Sequence, residues 1–141
     1  MRTVLRAGVV SLLAVSLVAC GGGGGSGNPD EDAIEEMVGQ FFQAFEDGDA
    51  GLLASLFTTE CGDMTAAAEA AIQAFEGFDG VEIDLDSVSI ENLTATSADF
   101  LPEGTLKSDD EESELSSPDE EHTPAVKENG VWKIAECELF L

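Results

Sequence analysis

The chain predicts an α+β domain, with three N-terminal helices packed on a curved antiparallel sheet of about four strands. Three observations carry that prediction. Between residues 29 and 76, apolar side chains recur at helical spacing. From Val81 the period drops to two, the mark of a half-buried strand. Near the C-terminus, Asn129-Gly130 separates two strand-like runs, the strongest short-range hairpin signal. Because the helices come first and the strands follow, the helices belong on one face of the sheet.

The first helix starts at Asn28-Pro29-Asp30-Glu31. Asn caps, Pro suits the first helical position, and the acids favour the positive end of the dipole. Ile34, Met37, Val38, Phe41, Phe42 and Phe45 then form one apolar stripe, and Gly48 ends it. Asp49 caps a short second helix that turns Leu52, Leu53, Leu56 and Phe57 inward. Cys61-Gly62-Asp63 is a turn. Asp63 or Thr65 caps a third helix carrying Ala68, Ala71, Ile72 and Phe75, and Gly77 and Gly80 bracket its exit.

Val81, Ile83 and Leu85 alternate with acids, and Val88 and Ile90 continue out of phase. The phase change predicts a bulge near Asp86-Ser87. A second strand is expected around residues 95–101, stopped by Pro102-Glu103-Gly104. Residues 107–122 carry eight acids and read as a solvated connection. Pro124 places the strand at Thr123 to Lys127 on a sheet edge. Val131 to Leu141, dense in apolar residues, is expected as a central last strand.

Upstream of this domain lie Arg2 and Arg6, then an apolar run of 13 residues from Ala7 to Ala19, then Cys20. The run is too short for a spanning helix, which needs about 20 residues. Leu17-Val18-Ala19-Cys20 resembles the lipobox of bacterial lipoproteins. That resemblance implies a signal peptide over residues 1–19, acylation of Cys20, and a membrane partner reached through that lipid. A plain secretory signal or an uncleaved anchor is the competing reading. Residues 20–28, rich in glycine, form a flexible tether, and residues 29–141 form one domain. The expected location is the cell envelope, outside the membrane.

All 30 acidic residues follow Cys20, against Lys107, Lys127 and Lys133, a side-chain balance of −27. Such a chain repels phosphates, which excludes nucleic acid as a partner. The acids are spread over every segment, as a hydrated surface adapted to salt would have them. A loose calcium sponge and a cation-attracting face are the alternatives. Once Cys20 carries lipid, Cys61 and Cys137 remain as an even pair in an oxidising compartment, which predicts a disulfide. It would contribute on the order of 4 kcal/mol by closing a long loop. Two buried free thiols are the alternative.

Phe41-Phe42-Gln43-Ala44-Phe45-Glu46-Asp47-Gly48-Asp49, followed by a Leu-rich helix, resembles the start of an NTF2-like (cystatin-like) domain. Asn129-Gly130-Val131-Trp132-Lys133-Ile134 resembles its last strands. The whole pattern is similar to small secreted NTF2-like lipoproteins of actinobacteria. In several of those, a cysteine after the second helix faces one in the final strand, as Cys61 and Cys137 would. The resemblance implies a conical cavity between the first helix and the sheet. Phe42, Phe45, Phe75, Phe100 and Trp132 are the candidate pocket residues, though a purely structural core reads the same way.

Enzymes of this superfamily place Asp, His or Tyr inside the cone. This chain has no Tyr, and its single His122 lies in the acidic connection. Asp99 could serve as a general base, but alternation turns it to water while Phe100 faces the core. No nucleophile elbow, phosphate loop, zinc spacing or cofactor motif occurs. Asp47-Gly48-Asp49 fails as a calcium loop, because Gly51 and Thr58 occupy ligand positions. No metal site is expected. The reading is a non-enzymatic domain binding a small apolar ligand or an envelope protein. A cavity isomerase or dehydratase using a buried carboxylate is one alternative, and an acidic spacer without a specific ligand is another.

Overall fold

The computed structural model describes residues 27–77, 80–108, 111–117 and 120–140. The expected signal peptide, Cys20 and most of the tether lie outside the described residues, as do Phe78, Asp109, Asp110 and Asp119. Helix α1 spans Pro29–Asp47, α2 Ala50–Ser55 and α3 Thr65–Glu76, with a single 3-10 turn at Thr59–Cys61. Strands β1 (Glu82–Glu91), β2 (Ser97–Lys107), β3 (Glu112–Glu114), β4 (Thr123–Glu128) and β5 (Val131–Ile134) form one antiparallel sheet. Three helices against a curved sheet make the expected α+β fold.

Local chemistry sets the helix ends. The Asn28 side chain accepts from the Asp30 amide at 3.1 Å, and Asp49 accepts from Leu52 at 2.9 Å. Asp63 accepts from the Thr65 amide at 3.0 Å, and those Thr65 contacts hold its carboxyl below the usual range. The α1 stripe buries Ile34, Met37 and Val38 against α2 and the sheet. Ile34, Val38, Leu53 and Ile134 are the largest fully buried side chains, so the core lies where α1, α2 and β5 meet.

The strand order is β1-β2-β4-β5, with β3 also on β2. Strand β2 carries β1 along one edge. Its other edge pairs with β4 over Ser97 to Phe100 and with β3 over Thr105 to Lys107. The bulge falls between Leu85 and Ser87, where the apolar phase changes. Asn129 (φ 51°) and Gly130 (φ 83°) both adopt left-handed backbone, the geometry of a tight hairpin between Glu128 and Val131.

Four expectations about the sheet need correction. Strand β2 does not stop at Pro102-Glu103-Gly104 but runs to Lys107. Gly104 lies opposite the β1 bulge, where a Cβ would sit 2.0 Å from the Asp84 carbonyl oxygen. Glycine there lets the strands stay paired. The acidic connection is not wholly solvated loop, since β3 folds back onto β2 and the Leu115 amide donates to the Gly104 carbonyl at 3.0 Å.

Strand β4 is not an edge but lies between β2 and β5. Pro124 is tolerated because its carbonyl faces the end of β5, accepting from Ala135 at 2.8 Å. In a strand the N and C=O of one residue face the same neighbour, so the missing donor falls where β5 has ended. Lastly, β5 has four residues rather than eleven and lies at the sheet edge. That edge is covered: Ile134 donates to Leu56 at 2.8 Å and accepts from Thr58 at 3.0 Å, in a parallel bridge with Phe57.

Candidate ligand cavity

The C-terminal segment turns away after Ile134 and returns over α1. Cys137 is bonded to Cys61, 76 residues apart, which holds the tail against the 3-10 turn. Phe140 then packs among three rings. Its centroid lies 5.3 Å from Phe57, 6.1 Å from Phe41 in a stacked pair, and 6.2 Å from Phe45. Phe45 in turn meets Phe75 edge-on at 5.3 Å.

Between α1, the sheet and this tail lies a cavity of about 250 Å³. Helix α1 contributes Val38, Phe41 and Phe42. Strands β2 and β5 contribute Phe100, Leu101, Pro102 and Ile134. The tail adds Leu139 and Phe140. The connection after β3 supplies Leu115, Ser116 and Glu120, and the first residue of β4, Thr123, completes the wall. Glu120 is exposed and is the one ionisable group among the described lining residues.

Of the five candidate pocket residues, Phe42 and Phe100 line this cavity and Phe45, Phe75 and Trp132 do not. Phe45 and Phe75 belong to the aromatic packing beneath it. Trp132 is buried at the other end of α1, where its indole N–H donates to Asp30 at 3.1 Å. Lys127 joins the same carboxylate at 2.5 Å, and its Nζ lies 5.7 Å from the Trp132 ring centroid. The hydrogen bond from Lys127, then that from Trp132, holds the Asp30 carboxyl below the usual carboxylate range. This cluster fastens the start of α1 to β4 and β5.

Phe41, Leu101, Leu139 and Phe140 line the cavity without having been singled out. The pairing of Cys61 with Cys137 was the signal available for the tail, since it must draw residues near 137 back toward α2.

The other candidates lie elsewhere. Asp99 is half-buried, accepts from Asn92 at 2.7 Å and is not among the cavity residues, while Phe100 is buried and lines the cavity. The Nε2 of His122 is buried without a hydrogen-bond partner, and His122 is not among the cavity residues. Asp47-Gly48-Asp49 is a helix exit and cap. Among the described residues, no group of three His, Cys, Asp or Glu side chains is placed to hold a metal ion. No described helix is long and apolar enough to cross a membrane.

Three helices packed on a curved antiparallel sheet, with an apolar cavity between α1, the sheet and the tail, define an α+β domain. The architecture is that of the NTF2-like fold. A solved structure from Streptomyces avermitilis, a proposed dehydratase of the NTF2-like family, matches with a TM-score of 0.52 and 14% identity, covering 76% of this chain and 93% of that one. No protein-family model matches the chain, and no curated protein matches it in sequence.

Proposed function

We propose that this chain is an exported, lipid-anchored NTF2-like domain that binds a small apolar ligand without converting it. The observation that carries the binding role is the cavity lining: ten apolar side chains with polar groups confined to one wall. Small-molecule sites have this composition, an apolar enclosure with a few polar groups to orient the ligand. What favours binding over reaction is the absence of a desolvated acid or base among the described lining residues, Glu120 being exposed. Asp99, the candidate base, accepts from Asn92 and does not line the cavity. The dehydratase role proposed for the Streptomyces protein is therefore not extended to this chain.

The anchor is supported by Leu17-Val18-Ala19-Cys20 and the glycine tether that follows. Two experiments test the proposal. The protein purified from its own host is examined by native mass spectrometry for a retained small molecule. Binding is then measured by fluorescence of a neutral polarity-sensitive dye, in the parent and in Leu139→Trp, which crowds the cavity from an exposed position in the tail and spares the core. Saturable dye binding that Leu139→Trp weakens supports the reading, while no binding in the parent overturns it. A Cys20→Ser chain that still partitions with membranes would refute the anchor.

A further inference from the structure

The polar side of the cavity has a definite sense. Ser116 and Glu120 come from the connection between β3 and β4, and Thr123 opens β4 itself. The Ser116 hydroxyl donates to the Pro102 carbonyl, so its oxygen offers lone pairs to anything in the cavity. Glu120 is a carboxylate and also only accepts; its own Oε2 takes the Ser117 amide at 3.0 Å, which steadies it. Two of the three polar groups, Ser116 and Glu120, can only accept, so a head group placed between them must donate.

No described cation competes for the place. Lys107 is paired with Asp84, Lys127 with Asp30 at 2.5 Å, and Lys133 donates to the Ser55 carbonyl. None of the three lines the cavity. The opposite walls present Phe41, Phe42, Phe100 and Phe140, whose rings accept an apolar or aromatic body. Around the site, the side-chain balance of −27 beyond Cys20 draws cations toward the protein and drives anions off.

Resting on the binding role proposed above, we infer that the ligand is an amphiphilic organic cation. Its apolar or aromatic body lies among the phenylalanines and its ammonium group meets Glu120 and Ser116. Neutral apolar compounds still enter the cavity but without the contribution of the head group, and carboxylates of the same skeleton are repelled.

The test compares phenylbutylamine, phenylbutanol and phenylbutyrate, which share one body and differ in the charge of the head. Affinities are measured by calorimetry on the full chain, at low and at high salt, in the parent and in Glu120→Gln. Glu120 is exposed, so this variant leaves the fold intact, as circular dichroism would verify. The amine is expected to bind about five- to tenfold more tightly than the alcohol, with the carboxylate weakest. Most of that advantage should vanish in Glu120→Gln and shrink as salt screens the charge. An alcohol that binds as tightly as the amine, or an amine advantage untouched by Glu120→Gln, overturns the inference and leaves the binding role standing. If none of the three binds while the neutral dye does, the inference alone falls; if the dye fails as well, the binding role falls with it.

Discussion

Strand β5 buries two of its four residues, Trp132 and Ile134, whereas the ten residues of β1 bury none. The same contrast extends to their neighbours. Around β5 stand the fully buried Ile34, Val38 and Leu53, the Asp30 cluster and the disulfide. β1 is joined to β2 by the Lys107–Asp84 pair, which raises the lysine above its ordinary value, and across β2 lies β3, exposed throughout. Leu85, Val88 and Ile90 touch the core but stay half-buried. Burial of apolar area stabilises in proportion to the area removed from water, so stability is concentrated at the α1–β5 side. The acid-rich wing of β1, β3 and the far end of β2 buries little apolar area and is held mainly by backbone pairing. The cavity sits between the two, with a firm floor and one wall drawn from the weaker side.

The largest expected effect breaks the firm side. Replacing both Cys61 and Cys137 by Ser should lower unfolding free energy by on the order of 4 kcal/mol, because the bond closes a loop of 76 residues. Urea titration measures the loss. A change near zero would show that the tail is held by Phe140 and its neighbours alone.

Next comes a matched pair. Ile134→Ala, at a site 1% exposed, should cost about 3 kcal/mol, while Ile90→Ala in the half-buried wing should cost about 1 kcal/mol. Equal losses in thermal unfolding would erase the contrast between the two sides. Gly104→Ala should cost about 2 kcal/mol although it adds only a methyl, because that methyl would meet the Asp84 carbonyl and force the bulge open. Faster amide exchange confined to β1 and β3 would locate the damage in the wing.

The smallest effect is at Asp30, and it depends on pH. Its carboxyl is held below the ordinary value in the folded chain, so an unfolded chain takes up that proton first as pH falls. The contribution is complete above about pH 4 and is lost as pH falls through the folded value. Asp30→Asn should therefore be less stable than the parent at neutral pH, and the gap should close in acid. A gap that stays constant from pH 7 to pH 3 would mean that the Lys127 pairing contributes nothing.

Much of this fold is legible along the chain. Asn28 and Asp49 cap where their spacing to an apolar stripe says they should, and the hairpin forms at Asn129-Gly130. Even the bulge can be read, because Leu85 and Val88 fall out of phase. The cavity is less legible. Phe42 and Phe45 lie on one helical stripe, yet one meets the cavity and the other meets Phe75. Nothing in the stripe separates them, since the difference lies in what the chain places opposite. Trp132 looked like a pocket residue, but its indole N–H needed a partner and found it in Asp30, about a hundred residues earlier.

The sequence by itself determined the features whose partners are near in the chain: helix starts and stops, the hairpin, the strand bulge, and the excess of acid beyond Cys20. It also carried the expectation of export and of a tether, which rests on a contiguous motif. Tertiary structure alone decided that β2 runs on past Pro102, that β4 is interior and β5 an edge, and that Phe140 closes a cavity with Phe41. The physical reason is range. Caps and turns are settled by hydrogen bonds and backbone sterics within a few residues. Strand order and cavity walls are settled by competition among apolar surfaces far apart in sequence, and by which backbone groups remain to be paired.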